Sequence, residues 1–312
     1  MRVLVTGATG FVGANLVRRL IDSGWEIHVT VRRESNLWRI AGLERELTVH
    51  EADLRDSERV RRIVSLARPQ VIYHLAACGG FTSQTESRDV FLSNLLGTVN
   101  LVRACEKLGF DCFVNTGSSS EYGVKQDPMQ EDDRVSPLGD YAVSKAAATL
   151  FCSSEALIKG LPIITLRLFS PYGPWDYPGR LIPYLIKSYL RQEVPNLSAP
   201  GFVRDFVFIG DVVEAYLHAV KAPGTAGEVL NIGSGIQSSV GEVTSLLAEK
   251  LQAPTLARWG KYPPRLLEPK VWLADLGKVK AKLDWEPKIP LSEGLDETIL
   301  WFRDSLSLYP RG

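Results

Sequence analysis

Three glycines set directly behind the first apolar run constrain this chain more than any other feature. Val3-Leu4-Val5 leads into Thr6-Gly7-Ala8-Thr9-Gly10-Phe11-Val12-Gly13, and an amphipathic stretch from Ala14 to Ile21 follows. Strand, glycine loop and helix in that order form the setting that a dinucleotide-binding turn requires. Gly7 permits the tight turn, Gly10 lets the backbone approach a pyrophosphate, and Gly13 lets helix and strand pack closely. The helix start then offers backbone N–H groups and the positive end of its dipole to the phosphates.

A second pair gives that loop a chemistry. Tyr141 and Lys145 stand four residues apart in Tyr141-Ala-Val-Ser-Lys145. On a helix these positions share a face, so the ammonium reaches the phenol. A cation there favours phenolate and lowers the tyrosine from its usual pKa of about 10. Tyr141 is therefore a candidate general acid/base for a carbinol or carbonyl oxygen. By itself the pair reads as a solvated helix face, and the glycine loop is what changes that reading.

Apolar strand-like runs at 2–6, 26–31, 47–50, 71–75, 111–116 and 162–167 alternate with helical patterns at 11–23, 56–67, 88–108 and 140–159. Such alternation predicts an α/β fold with a doubly wound parallel sheet over residues 1–167. Pro and Gly thicken over 171–201 and 254–269, which reads as loops and a smaller lobe rather than a linker. Of the 312 residues 45% are apolar, ample for a sizeable core. Lys and Arg total 36, as do Asp and Glu, and the pI is near 6.9, so no nucleic-acid or polyanion surface is expected. No apolar run approaches the ~20 residues of a membrane span, and the first residues are nucleotide loop rather than signal peptide. Cys78, Cys105, Cys112 and Cys152 lack metal-like or disulfide spacing, which suggests a reducing cytoplasm and no metal.

The motifs taken together resemble the extended short-chain dehydrogenase/reductase family, in its nucleotide-sugar-modifying branch. They are the glycine loop, Asp53-Leu54, His74-Leu75-Ala76-Ala77, Asn94, the run Thr116 to Gly123, and the Tyr141/Lys145 pair. Arg167 to Pro174, Arg204-Asp-Phe-Val207 with Asp211, and the tail Leu283-Asp-Trp285-x-Pro287, Glu293-Gly-Leu295 and Trp301 extend the match over nearly the whole length. The resemblance implies a Rossmann domain over 1–167 that takes back a segment at about 203–233, and a substrate lobe from 168–202 and 234–312.

It also implies roles. Gly7, Thr9, Gly10, Phe11, Val12 and Gly13 would hold the pyrophosphate; Asp53 and Leu54 the adenine; Leu75, Ala76, Ala77, Phe169 and Pro171 the nicotinamide side. Lys145 would bind the nicotinamide ribose, and Asn94 matches a relay or structural asparagine. Where the family carries an Asp selecting NAD, the second strand here ends in Arg32-Arg33, forked donors suited to a 2′-phosphate. NADP(H) is favoured, with NAD(H) the alternative. Counting back from Tyr122, Ser118 matches the catalytic serine, with Ser119 its competitor. Dehydratases place Asp-Glu next; Ser119-Ser120 stand here instead, so elimination of water lacks its acid and base. Arg204 and Arg265 match contacts to a substrate diphosphate, with Arg180 a further candidate. Ser170 replaces the asparagine usual in 4-epimerases, and Gly79-Gly80 leaves room for a sugar ring near Cys78 and Phe81.

The leading expectation is NADPH-dependent reduction of a nucleotide-linked 4-keto-6-deoxyhexose, with Tyr141 giving the proton. The alternative is a nucleotide-sugar 4-epimerase that retains NAD. A non-sugar carbonyl reductase and a silent NADP-binding regulator complete the set. A homodimer through a four-helix bundle of the segments 88–108 and 140–159 is also implied.

Overall fold

The computed structural model describes residues 1–80, 86–253, 257–262 and 269–309. Its first strand shows how the chain partitions its core. In β1 (Arg2–Thr6) Val3 and Val5 face one layer and Leu4 the other, as the twofold period of a strand demands. β2 (Glu26–Val31), β3 (Leu47–Glu51), β4 (Val71–His74), β5 (Cys112–Ser118), β6 (Ile163–Leu168) and β9 (Val229–Ile232) join it in a seven-stranded parallel sheet, ordered β3-β2-β1-β4-β5-β6-β9. The expected doubly wound α/β fold is therefore present.

Helices cover both faces. α1 (Phe11–Ile21) and α7 (Ile209–Lys221) pack on the side of Val3 and Val5. α2 (Ser57–Ala67), α4 (Gly97–Glu106) and α5 (Asp140–Lys159) cover the side of Leu4. α2 shows the logic of these helices: Asp56 caps it by accepting the Arg59 N–H at 3.0 Å, and Val60, Ile63, Val64 and Ala67 form one buried stripe.

A second sheet, ordered β10-β8-β7, holds β7 (Ser170–Tyr172), β8 (Val203–Phe208) and β10 (Gln237–Ser239). Of the segment expected to return at 203–233, α7 and β9 meet the large sheet and β8 lies in the small one. α6 (Leu181–Leu190), α8 (Val240–Lys250), α9 (Gly277–Leu283) and α10 (Leu291–Ser305) follow, with 3₁₀ turns at Ser119–Tyr122 and Leu306–Leu308. Asp211 ties the tail to α7: its carboxylate accepts the Ile289 N–H at 2.9 Å and its carbonyl the Trp285 indole N–H at 3.0 Å.

One expected helix is broken. The pattern over 88–108 reads as a single run, but α3 (Ser87–Phe91) is joined to α4 by a π-helical turn, Leu92–Leu96. Asn94 sits in that turn with its side chain engaged on other segments, a local widening that often marks a functional site.

Candidate active site

The glycine loop is built for close approach. Gly7 has φ +74°, and a Cβ there would lie 2.6 Å from the Ala76 nitrogen. A Cβ on Gly13 would lie 2.2 Å from the Gly7 carbonyl oxygen. Glycine is thus required at both positions, and β1, α1 and the Leu75–Ala76 segment converge where a pyrophosphate and nicotinamide would meet. Gly10 begins the helix with extended backbone, and its N–H closes on the Gly7 carbonyl at 3.0 Å. Thr9, Phe11 and Val12 lie half-buried along this loop.

At the end of β2, Arg32 and Arg33 line a cavity of about 150 Å³ with Ala52, Asp53 and Arg59. Three acids, Glu34, Glu51 and Asp56, share the lining, and Arg32 already pairs with Glu34 at 3.3 Å. Asp53 is held by Arg55, which donates to both its oxygens and keeps its carboxyl below the usual range. Leu54 is buried beneath it.

A buried strut links the glycine-loop end of β1 to α5. The Ala76 N–H donates to the Thr6 hydroxyl at 3.3 Å, and that hydroxyl meets His74 Nδ1 at 2.7 Å. On its other side His74 Nε2 meets the Thr98 hydroxyl at 2.8 Å, which itself donates to the Asn94 carbonyl at 2.6 Å. Thr98 must then accept from Nε2–H, leaving Nδ1 to accept from Thr6, so one tautomer fits. Burial, with Lys145 beside it, pushes His74 down to about 3, and it stays neutral. The Asn94 amide donates to the Cys78 carbonyl and the Ser144 hydroxyl, both at 2.9 Å, while its oxygen accepts the Cys78 N–H at 2.7 Å. Ser144 passes the link to the Tyr141 carbonyl at 2.8 Å.

Tyr141 and Lys145 occupy one face near the start of α5, which opens after Gly139 at φ +82°. The Tyr141 phenol is hydrogen-bonded to the Ser118 side chain, so Ser118 rather than Ser119 is the serine that touches it. Gly80 lies against the same ring: a Cβ there would sit 3.4 Å from the Tyr141 ring edge, in van der Waals contact.

The expected lowering of the tyrosine is not what the structure shows. Burial, with Glu121 adding to it, raises Tyr141 above its ordinary value despite Ser118 and Arg180. Burial likewise lowers Lys145, against the pull of Glu121. Desolvation penalises the charged form of both groups, and their proximity in sequence does not offset it. Tyr141 is therefore a neutral phenol at neutral pH.

Positions 119–121 are occupied structurally. Ser119 is buried and accepts the Trp272 indole N–H at 3.2 Å; Ser120 bonds the Ser118 hydroxyl at 2.8 Å. Glu121 is fully buried, taking Arg167 Nη2 at 3.0 Å, the Ser118 N–H at 2.7 Å and the Thr149 hydroxyl at 3.1 Å. Arg204 on β8 donates to the Val203 carbonyl and stacks over Trp272 at 5.2 Å. Ser170 opens β7, with Phe169 and Pro171 buried on either side and Ala77 exposed. Arg180 precedes α6 and pairs with Asp176 at 3.4 Å. Arg265 and Phe81 lie outside the described residues.

Participants not singled out in the sequence include Trp272, Ser144, Asp176 and Arg39, which donates to the Thr9 and Trp175 carbonyls at 3.4 and 2.7 Å. Ser144 carried a signal, its place between Tyr141 and Lys145. Trp272 and Arg39 act across long sequence separations and carried none, while Asp176 pairs with Arg180 only four residues on.

A family model described as NAD dependent epimerase/dehydratase family matches residues 3–233. The dTDP-glucose 4,6-dehydratase of Streptomyces niveus is 30% identical, with 98% of this chain and 94% of the relative covered. The UDP-glucose 4-epimerase of Thermotoga maritima, solved with UDP-glucose, superposes with a TM-score of 0.89 at 29% identity, covering 98% of this chain and 100% of that one. A mutant UDP-glucuronic acid 4-epimerase from Bacillus cereus, in complex with UDP-4-deoxy-4-fluoro-glucuronic acid and NAD, superposes at 0.88 with 27% identity, covering 97% and 99%.

Proposed function

The chain belongs to the NAD dependent epimerase/dehydratase family, and from that premise we propose that it is a nucleotide-sugar 4-epimerase that keeps a nicotinamide cofactor bound through turnover. The observation that carries this reading is what surrounds the phenol. Ser118 hydrogen-bonds Tyr141, while Ser119 is tied to Trp272 and Glu121 to Arg167. Dehydration needs a second acid and base beside the sugar, and none is offered at 119–121. Epimerisation needs only the one phenol, used in both directions.

The cradle at Gly7 and Gly13 would hold a dinucleotide, with Lys145 as the residue for its ribose. When bound, such a group would supply reversible hydride transfer at the sugar carbon. Tyr141 takes the hydroxyl proton as the carbonyl forms and gives it back as the carbonyl is reduced from the other face. Ser118 orients the reacting oxygen. Arg204 binds the diphosphate from the second sheet. UDP-glucose and UDP-glucuronate, named for the relatives, are the first substrates to assay.

A second reading, NADPH-dependent reduction of a 4-keto sugar nucleotide, is favoured by the Arg32 and Arg33 cavity at the end of β2. One experiment separates them. Purified protein is denatured and its released cofactor identified, and the intact protein is given each sugar nucleotide with no cofactor added. A 4-epimer formed with retained NAD supports epimerase. An empty protein that consumes NADPH only with a 4-keto sugar overturns it in favour of reductase.

A further inference from the structure

Trp272 touches both the small sheet and the serine turn. Its indole N–H donates to the Ser119 hydroxyl at 3.2 Å, and the Arg204 guanidinium carbon stands over its ring, 5.2 Å from the centre. Ser119 opens the turn Ser119–Tyr122 directly after Ser118, and only 3% of it is exposed. The near side of that turn is already held, because Glu121 takes the Ser118 N–H and pairs with Arg167. Trp272 holds the turn from the opposite lobe. Its own backbone hangs on the small sheet: Gln237 of β10 accepts the Trp272 N–H at 2.7 Å and donates to the Lys270 carbonyl at 3.2 Å. Asp205 accepts the Ala274 N–H at 3.1 Å. β10 pairs with β8 in a register that sets Ser238 opposite Arg204, so Trp272 and Arg204 are anchored to neighbouring strands. The ring also packs against the cluster of Tyr122, Met129, Phe169 and Ala274.

We propose that Trp272 is a positioning residue that sets the span of the site: its ring carries Arg204 at the diphosphate end, and its N–H holds the serine turn at the reacting end. This rests on the reading above, in which Arg204 grips a diphosphate and Ser118 orients the reacting oxygen. The two roles use different parts of one side chain, so substitution separates them. The ring acts through Arg204 on binding, which is felt alike in ground and transition states. The N–H acts on the turn that carries Ser118, and so on turnover. A tryptophan that merely fills the core would lower stability without dividing KM from kcat.

Two measurements test this, and the first needs no turnover. UDP and dTDP, the diphosphates in the substrates named for the relatives, are titrated calorimetrically into the purified protein. Trp272→Leu is expected to weaken the tighter of the two by about 2- to 30-fold, and Trp272→Phe, which keeps a ring under Arg204, to restore most of the affinity. In an Arg204→Ala background Trp272→Leu should add nothing. An unchanged affinity in Trp272→Leu, or the same loss with Arg204 absent, overturns the proposal. If Arg204→Ala leaves both affinities unchanged, the diphosphate assignment of Arg204 fails and takes this inference with it. The second measurement uses whichever nucleotide sugar the protein converts. Trp272→Phe should lower kcat by about 2- to 12-fold with KM little changed, as should Ser119→Ala. The double variant should be no slower than either. A Trp272→Phe variant with unchanged kcat, or one whose loss adds to that of Ser119→Ala, overturns the proposal. If no nucleotide sugar is converted, the epimerase reading fails while the diphosphate titrations still decide this one.

Discussion

Glu121 and Arg167 close an ion pair inside the protein, Oε2 meeting Nη2 at 3.0 Å and Nε at 3.1 Å, with side chains 0% and 4% exposed. The same carboxylate accepts the Ser118 N–H and so fixes the serine that touches Tyr141. Removing one partner of a buried pair leaves a charge without compensation. Glu121→Gln is expected to cost about 3–5 kcal/mol by urea unfolding. Replacing both partners by apolar residues of similar volume should cost clearly less. Equal losses for single and double variants would mean the pair itself contributes little.

Tyr141→Phe keeps the ring that packs beside Gly80 and removes only the acid/base oxygen. Turnover is expected to fall by about 10²–10⁴, with cofactor affinity nearly unchanged. A rate within a few-fold of the unmodified protein would exclude the phenol from the chemistry.

Arg32→Asp with Arg33→Ser replaces two forked donors at the β2 cavity by an acceptor. The acid repels a 2′-phosphate and accepts from ribose hydroxyls. The ratio of kcat/KM for NADP(H) over NAD(H) should fall. If the ratio stays put, these arginines are surface charge, as the pairing of Arg32 with Glu34 allows.

Arg204→Ala should raise KM for the nucleotide sugar while leaving kcat largely intact, because a diphosphate is gripped alike in ground and transition states. A lost charge-assisted contact is worth about 1.5–3 kcal/mol, roughly 10- to 150-fold in affinity. Titrating substrate and cofactor separately checks it. An effect on cofactor affinity instead would move Arg204 to the other half of the site.

We expect a homodimer through α5. Leu150, Leu157 and Ile158 are 61%, 79% and 78% exposed on that helix, whereas Val102 of the neighbouring α4 is buried in the core. Apolar surface of this kind on one helix is costly in water and is relieved by a symmetric partner. Light scattering should give twice the 34.5 kDa chain mass, and Leu150→Glu with Leu157→Glu should return a monomer. A single-chain mass for the unmodified protein at micromolar concentration would end this expectation.

The sequence alone determined what depends on neighbours in the chain. Alternating apolar runs gave the parallel sheet, the glycines of the first loop gave the nucleotide turn that their close contacts require, and the four-residue spacing put Tyr141 and Lys145 on one helix face. Local sterics and periodicity act over a few residues, so they are written in order. What passed unseen acts at a distance. Trp272 reaches Ser119 across 153 positions, Arg167 reaches Glu121 across 46, and Asn94 reaches Ser144 across 50. The tertiary structure also decided the ionisation of Tyr141. Spacing brings a lysine close, but only packing fixes how much water is excluded, and here desolvation outweighs the neighbouring charges.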